Sequence, residues 1–142
     1  MATVSVRDEL EASIQTVWDL ISDFGDLSAW APTATVTEVK GAGVGAVRRV
    51  QLGEPGEMVF RERCEAHDPE AHSFSYAVLE SPVPFKDYVA VVKLSDLGPG
   101  RCGIEWSSRF EPDGAPEAVL VSGVNDTYAA FIASIKRALS DA

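Results

Sequence analysis

The residues of this sequence best suited to chemistry are Arg48 and Glu62. Each lies in a stretch where apolar and polar residues alternate, which is typical of a strand with one buried face. Val50 places Arg48 on the buried face of its strand, and Phe60 and Cys64 place Glu62 on the buried face of the next strand. In that register the guanidinium and the carboxylate can meet inside the protein. The pair would then be either an ion pair without a function or a group that holds a carbonyl or phenol, with Glu62 as a candidate base.

Aromatic residues on the same predicted inner faces favour a pocket for a flat, mostly apolar molecule such as a polyketide, sterol or flavonoid. Tyrosine and tryptophan matter most, because each brings a polar atom that needs a partner once it is buried. Trp30 lies close to the chain-breaking Pro32, so we expect it at the mouth of the pocket. The candidate ligand-binding residues are Trp30, Arg48, Val50, Phe60, Glu62, Tyr76, Phe85, Tyr88, Trp106, Val124, Tyr128 and Ile132. The candidate catalytic residues among them are Glu62, Arg48 and Tyr88.

The two histidines, His67 and His72, flank one predicted turn. A zinc site would need a third suitable ligand at metal-site spacing, and none lies nearby in the sequence. We therefore expect both histidines to be exposed to solvent, and we expect no metal and no cofactor. The two cysteines, Cys64 and Cys102, lie within strand patterns, where buried and unreactive thiols are usual.

The composition narrows the choice of partners. Twelve basic and twenty-two acidic side chains give a net charge of −10, which argues against a nucleic acid or an anionic membrane as partner. The sequence contains no run of eighteen apolar residues, so we expect no stable insertion into a membrane. The N-terminal residues 1–11 lack the apolar core of a signal peptide. We expect a cytoplasmic protein that is a monomer or a weak homodimer.

The period of the apolar residues predicts one strand, two short helices, six further strands and one long helix. The predicted strands cover residues 3–10, 35–40, 46–52, 57–67, 72–80, 87–97 and 101–111. Ser13 is the predicted N-cap of the first helix, which ends before Gly25, and the second helix covers residues 26–30 and is closed by Pro32. Short turns between consecutive strands predict an antiparallel meander, with the N-terminal strand added at an edge.

The long helix is predicted over residues 116–139, with Pro116 at its first helical position. Its apolar residues recur every three or four positions and form one broad stripe, so the helix needs a large apolar partner surface. We predict an α+β fold and a single domain over residues 1–142, in which a curved seven-stranded antiparallel sheet wraps around this helix. The space left between the sheet and the helix is the natural ligand site.

The two halves of the long helix are expected to differ in their role. The half around Ile135 should pack tightly on the sheet, and the half around Val124 and Tyr128 should roof the cavity. Gly123 falls in the roofing half, where glycine is unfavourable by about 1 kcal/mol relative to alanine. It would allow a close approach or a slight bend there, or have no role at all.

Several short motifs together resemble the helix-grip (START-like, SRPBCC) superfamily that includes the birch-pollen allergen, and more narrowly its polyketide cyclase/dehydrase-like branch. The motifs are Val17-Trp18, Asp23-Phe24, Trp30, residues 43–48, Glu62-Arg63, residues 82–88, Glu105-Trp106 and residues 110–112. The resemblance covers nearly the whole chain. It implies the helix-grip fold and a cavity for a hydrophobic ligand or lipid, in a superfamily of carriers, receptors and cyclases.

Two branches of the superfamily bear on the ligand. By position, residues 53–56 resemble the gate loop of plant abscisic-acid receptors, and residues 83–85 resemble their latch loop. The buried lysine with which those receptors meet a carboxylate falls near Pro32 here, so the resemblance does not carry over recognition of a hormone-type acid. Bacterial aromatase/cyclases carry an arginine on the strand that bears Phe60 and Glu62, and this sequence has none on that face.

Three functions remain open at this stage. The favoured one is a carrier or sensor that takes a small hydrophobic molecule into the cavity. The second is a polyketide cyclase, aromatase or dehydratase that uses the same pocket, with Glu62, Arg48, Tyr76 and Tyr88 as acid–base groups. The third is a stress-related protein that acts through protein–protein contacts, for which the sequence shows no distinctive surface feature.

Overall fold

The computed structural model describes residues 1–31, 33–53 and 58–141. The elements along this part of the chain are β1 (Ala2–Leu10), α1 (Ile14–Ile21), β2 (Ala34–Lys40), β3 (Val47–Leu52), β4 (Met58–Asp68), β5 (Ser73–Glu80), β6 (Phe85–Asp96), β7 (Cys102–Pro112) and α2 (Glu117–Ser140). The predicted α+β fold is confirmed.

The strands form one curved antiparallel sheet in the order β1-β7-β6-β5-β4-β3-β2. The meander and the N-terminal strand at its edge are as predicted. The pairing register shifts within the β2–β3, β4–β5 and β6–β7 pairs, and such bulges bend and twist a sheet. The concave face that results holds the core and the cavity.

α1 ends before Gly25 as predicted, but the segment that follows it differs from the prediction. Ser13 caps α1 as expected, accepting a hydrogen bond from the Thr16 N–H. Residues 26–30, however, form turns and not a second helix. The Asp26 carboxylate accepts a hydrogen bond from the Ser28 N–H at 2.8 Å, and such a side-chain contact competes with helical bonding. Pro32, the predicted end of that helix, lies outside the described residues.

The long helix α2 begins one residue later than predicted, because Pro116 is its N-cap, with ψ at 138°. Its buried residues are Leu120, Val124, Tyr128, Ile132 and Ile135. The close backbone contacts of α2 are mainly with β1, and Lys136 binds Asp8 of that strand at 2.7 Å. By length and composition alone α2 could cross a bilayer, but its buried stripe is that of a core helix.

One strand boundary differs by more than one residue from its prediction. Strand β6 begins at Phe85 and not at Asp87, because Phe85 and Lys86 pair with the end of β7 before a bulge interrupts the ladder. Asp87 lies in this bulge with a φ of 55°, a left-handed conformation that a short polar side chain tolerates. The predicted start of β4 at residue 57 lies outside the described residues.

Candidate functional site

A cavity of about 500 Å³ lies between the concave face of the sheet and α2. Its size falls in the range of about 300–1,000 Å³ typical of small-molecule sites. The predicted site residues that line it are Trp30, Arg48, Val50, Phe60, Glu62, Tyr76, Phe85, Tyr88, Trp106, Val124 and Tyr128. Ile132 does not line the cavity. It is 2% exposed and belongs to the core, one turn of α2 beyond Tyr128.

Arg48 and Glu62 lie directly opposite each other on β3 and β4 and both face inward, which is the predicted register. Their side chains are buried, with whole-residue exposures of 6% and 9%. Arg48 Nε donates to Glu62 Oε1 at 2.9 Å, and Nη2 lies 2.8 Å from the same oxygen. The two charges therefore neutralise each other within the cavity wall.

Arg48 is also held from two other directions. Its Nη1 donates to the carbonyl oxygen of Phe24 at 2.9 Å. Its guanidinium carbon lies 4.1 Å from the centroid of the Phe24 ring and 5.3 Å from that of Tyr76. These contacts fix the guanidinium and tie the α1–β2 connection to the sheet. Glu62 Oε2, in contrast, accepts no hydrogen bond from the part of the chain that the structure describes.

Tyr76 provides a neutral hydroxyl in this wall. Its oxygen accepts a hydrogen bond from Trp106 Nε1 at 3.2 Å. Burial above all, and then the charge of Glu62, raises the pKa of Tyr76 well above its ordinary value of 10. The phenol therefore stays protonated at neutral pH. Its own hydrogen has no acceptor among residues 1–31, 33–53 and 58–141.

Tyr88 and Tyr128 bring a second pair of hydroxyls together. Tyr88 on β6 and Tyr128 on α2 are hydrogen-bonded to each other through these groups. Burial is the main cause that raises the pKa of Tyr88 well above 10, and the neighbouring Tyr76 adds to the shift. The Tyr88 ring stacks on Phe85 with 4.7 Å between centroids. This pair joins the sheet to the helix across the cavity.

Trp30 is in the interior and not at the mouth, so that prediction is wrong. The residue is 4% exposed, and its ring lies 5.8 Å from the rings of both Trp106 and Phe131. The reason is that the turn at Leu27, whose carbonyl accepts from the N–H groups of Trp30 and Ala31, replaces the predicted helix. Trp30 Nε1 is buried without a hydrogen-bond partner in the described ranges, so ring packing holds this side chain.

Comparison with known proteins agrees with this architecture. The model of the family described as polyketide cyclase / dehydrase and lipid transport matches residues 1–140. The chain belongs to this family. No curated protein matches the sequence.

Solved structures show the same fold. XoxI from Bacillus cereus is 22% identical, with a TM-score of 0.86, and the match covers 99% of this chain and 97% of that one. A protein from Thermobifida fusca is 25% identical, with a TM-score of 0.84 and coverage of 96% and 91%. Norcoclaurine synthase from Thalictrum flavum, solved in complex with dopamine and hydroxybenzaldehyde, is 17% identical, with a TM-score of 0.74 and coverage of 99% and 87%.

Two loops of the sequence resemble the gate and the latch of the receptors, and of these the structure describes the latch. Of the gate, residues 54–56 lie outside the described residues. Val83, Pro84 and Phe85 of the latch line the cavity. The Asp113 N–H donates to the Pro84 carbonyl at 2.9 Å, which attaches the latch to the segment that leads into α2.

Several residues of the cavity wall were not predicted. Phe24, Leu27 and Phe131 line it, and Phe24 and Phe131 contact Arg48 and Trp30 respectively. The signal for Phe131 was its place three residues after Tyr128 on the same helical face. Phe24 and Leu27 follow α1 in irregular structure, where no period indicates direction.

The histidines lie at the opposite end of β5 from the latch. Their rings pack against Trp18, at 5.3 Å for His67 and 5.7 Å for His72. His67 is exposed as predicted, and it also lines the cavity, whereas His72 is half-buried. Among the described residues there is no cluster of three or more side chains that could hold a metal.

Proposed function

We propose that this protein binds one flat, mostly apolar molecule that carries a hydrogen-bond acceptor, and that it acts as a carrier or sensor. The observation that supports this most is the pairing of polar groups in an aromatic cavity. Arg48 pairs with Glu62, Trp106 with Tyr76, and Tyr88 with Tyr128. Since each of these groups has a partner within the wall, the cavity offers mainly apolar surface and few free polar atoms to a ligand.

The hydroxyl of Tyr76 defines the preferred ligand chemistry. Its oxygen already accepts from Trp106, and its hydrogen has no acceptor within the described residues. A neutral O–H with a raised pKa is a donor and not a base at pH 7. A ketone, ether or phenol oxygen of the ligand would therefore complete its hydrogen bonding, as in an aromatic polyketide.

An anionic ligand is disfavoured by the state of Arg48. The guanidinium is held by Glu62 and the Phe24 carbonyl, with its charge balanced by the carboxylate. Binding a carboxylate would require breaking this buried pair, which is costly. A neutral aromatic ketone needs no such rearrangement.

Titration with 9-fluorenone and fluorene tests the proposal. The two compounds have the same flat tricyclic frame and differ in a carbonyl in place of a methylene. Both should quench the fluorescence of Trp30 and Trp106, which line the cavity. Fluorenone should bind about 2–12-fold more tightly, the contribution of one hydrogen bond of about 0.5–1.5 kcal/mol.

The variant Tyr76→Phe is the matched control. It keeps the ring beside Arg48 and removes the hydroxyl, so it should bind fluorenone and fluorene equally. Fluorene binding should be unchanged from that of the wild-type protein. If neither compound produces a saturable change in the wild-type protein, the ligand-binding proposal is wrong. If the preference for fluorenone survives in Tyr76→Phe, another group recognises the carbonyl.

A second candidate function, a polyketide cyclase or dehydratase, is supported by one oxygen. Glu62 lines the cavity, and its Oε2 accepts no hydrogen bond from the described chain. This oxygen could take a proton from the carbon between two ketones of a poly-β-ketone. The resulting carbanion would attack a third carbonyl. The Tyr76 hydroxyl could hydrogen-bond to the oxygen of that carbonyl and protonate it, and Glu62 would then return its proton to Tyr76.

The variant Glu62→Gln separates the two functions. Its amide oxygen can still accept from Arg48, but it cannot take up a proton. If the protein is an enzyme, cyclisation of an aryl poly-β-ketone should be lost in this variant while fluorenone binding remains. If the wild-type protein gives no faster cyclisation than buffer does, the carrier function stands alone.

A further inference from the structure

One edge of α2 lies where the cavity meets solvent. Val119, Gly123 and Thr127 line the cavity and are also exposed, with Val119 at 62%. They are four residues apart and therefore form one row along the helix. The neighbouring row, which includes Leu120 and Val124, lines the same cavity but is buried. The exposed row is thus the rim of an opening.

Among residues 1–31, 33–53 and 58–141, the elements that pack on α2 leave this edge exposed. The close backbone contacts of α2 are with β1 and, to a smaller extent, β7. These strands lie at one side of the sheet, and β2, β3 and β4 lie at the other. Met58, the first residue of β4, also lines the cavity and is 37% exposed.

Gly123 is the smallest member of this row, and packing does not explain it. A Cβ built at this position meets no atom of the described residues within 4 Å, so none of these neighbours requires a glycine. Of the three roles that the sequence left open for this glycine, a close approach to a described residue is therefore excluded. Glycine inside a helix is unfavourable by about 1 kcal/mol relative to alanine. The chain therefore tolerates an unfavourable residue at the rim of its cavity.

The exposed row of α2 (Val119, Gly123 and Thr127) has no side-chain polar group that is free to bind a ligand. The Thr127 hydroxyl donates to the carbonyl oxygen of Gly123 at 2.9 Å, and the remaining member is a valine. An apolar molecule can pass such a rim without displacing a hydrogen-bonded side chain. A side chain at position 123 would extend into the open space that the missing Cβ leaves.

We propose that Gly123 is the entrance residue of the cavity and that its missing side chain sets the width of the ligand that can enter. The proposal rests on the ligand-binding function above and adds the route and the size limit. A residue larger than alanine at this position narrows the opening without disturbing the core. The effect should grow with the width of the ligand.

Stopped-flow fluorescence with aryl ketones of two widths tests the entrance. Acetophenone has one ring and benzanthrone has four fused rings. In Gly123→Phe the association rate constant of benzanthrone should fall about tenfold or more, and that of acetophenone by less than about threefold, since a blocked path lowers association rates. Gly123→Ala should raise the melting temperature and change neither rate by more than about twofold.

Ser122→Phe is the control, because Ser122 is exposed on the same turn of α2 but is not part of the cavity lining. It should leave both association rates unchanged. Equal rates for Gly123→Phe and the wild-type protein would overturn the entrance role, while binding itself would still support the proposed function. If the wild-type protein binds neither ketone, the proposed function and the entrance role both fail.

Discussion

Removing the buried charges of Arg48 and Glu62 singly and together tests the central feature of the site. Glu62→Leu would leave the guanidinium buried with the Phe24 carbonyl as its remaining hydrogen-bond partner. Breaking a buried pair in this way costs about 3–5 kcal/mol. A domain is stable by about 5–15 kcal/mol in total, so this variant should be folded but much weakened.

The double variant Arg48→Met/Glu62→Leu should recover most of that loss. It replaces two charged side chains by apolar side chains of roughly similar volume, and such replacements are neutral or stabilising by about 1–4 kcal/mol. Against this, the Phe24 carbonyl loses its donor, which costs about 1–3 kcal/mol if the group stays buried. The two effects nearly cancel, so the double variant should lie within about 2 kcal/mol of the wild-type protein.

Urea unfolding followed by far-ultraviolet circular dichroism measures all four proteins of this cycle. Arg48→Met alone should also be strongly destabilised, because it leaves Glu62 without its counter-ion. The coupling between the two positions should be at least about 2 kcal/mol. Single variants that each cost less than about 1 kcal/mol, or a double variant that loses the sum of both, would refute a tightly coupled buried pair.

Three further predictions concern the tyrosines, the core and the thiol. Because the pKa values of Tyr76 and Tyr88 are raised above 10, the unfolded chain loses these protons first. The free energy of unfolding should then fall above pH 10, by up to about 1.4 kcal/mol per pH unit for each tyrosine. Measured by urea unfolding at a series of pH values, this fall should be less steep in each Tyr→Phe variant. Ile135→Ala should cost about 2–5 kcal/mol in urea unfolding, since Ile135 is fully buried, and Val124→Ala should cost less because Val124 already borders a cavity. Burial raises the pKa of the Cys64 thiol, so it should react slowly with Ellman's reagent at pH 8, and more slowly still with fluorenone bound in the cavity that it lines.

The period of the apolar residues predicted nearly all of the fold. Seven strands and the long helix follow from alternation and from three- and four-residue spacing, which depend on local geometry alone. The error over residues 26–30 has a local cause of another kind. Asp23 and Asp26 accept hydrogen bonds from nearby backbone N–H groups, at 3.0 Å from Gly25 and 2.8 Å from Ser28, and so favour turns.

The site residues that lie on strands could be predicted from the sequence better than those that lie on the helix. Arg48 and Glu62 follow the alternation of their strands, which fixes the face on which each side chain lies. The end of the cavity along α2 has no such signal. Tyr128 and Ile132 share one helical face, yet Tyr128 borders the cavity and Ile132 belongs to the core. The difference depends on how far the sheet lies from each turn of α2, which the helical period does not indicate.

The pairing of β1 with β7 also determines when the cavity can form during synthesis. Ala2 lies opposite Phe110 and Leu10 opposite Cys102, so the first strand of the sheet pairs with the last. A ribosome that adds about 5–20 residues per second leaves β1 without this partner for about 5–20 s. The helix α2, which packs mainly on β1 and closes the cavity, follows β7 in the sequence and is therefore made later still. A ligand can therefore be captured only after α2 has been made, and pairing over such sequence distances makes folding slow.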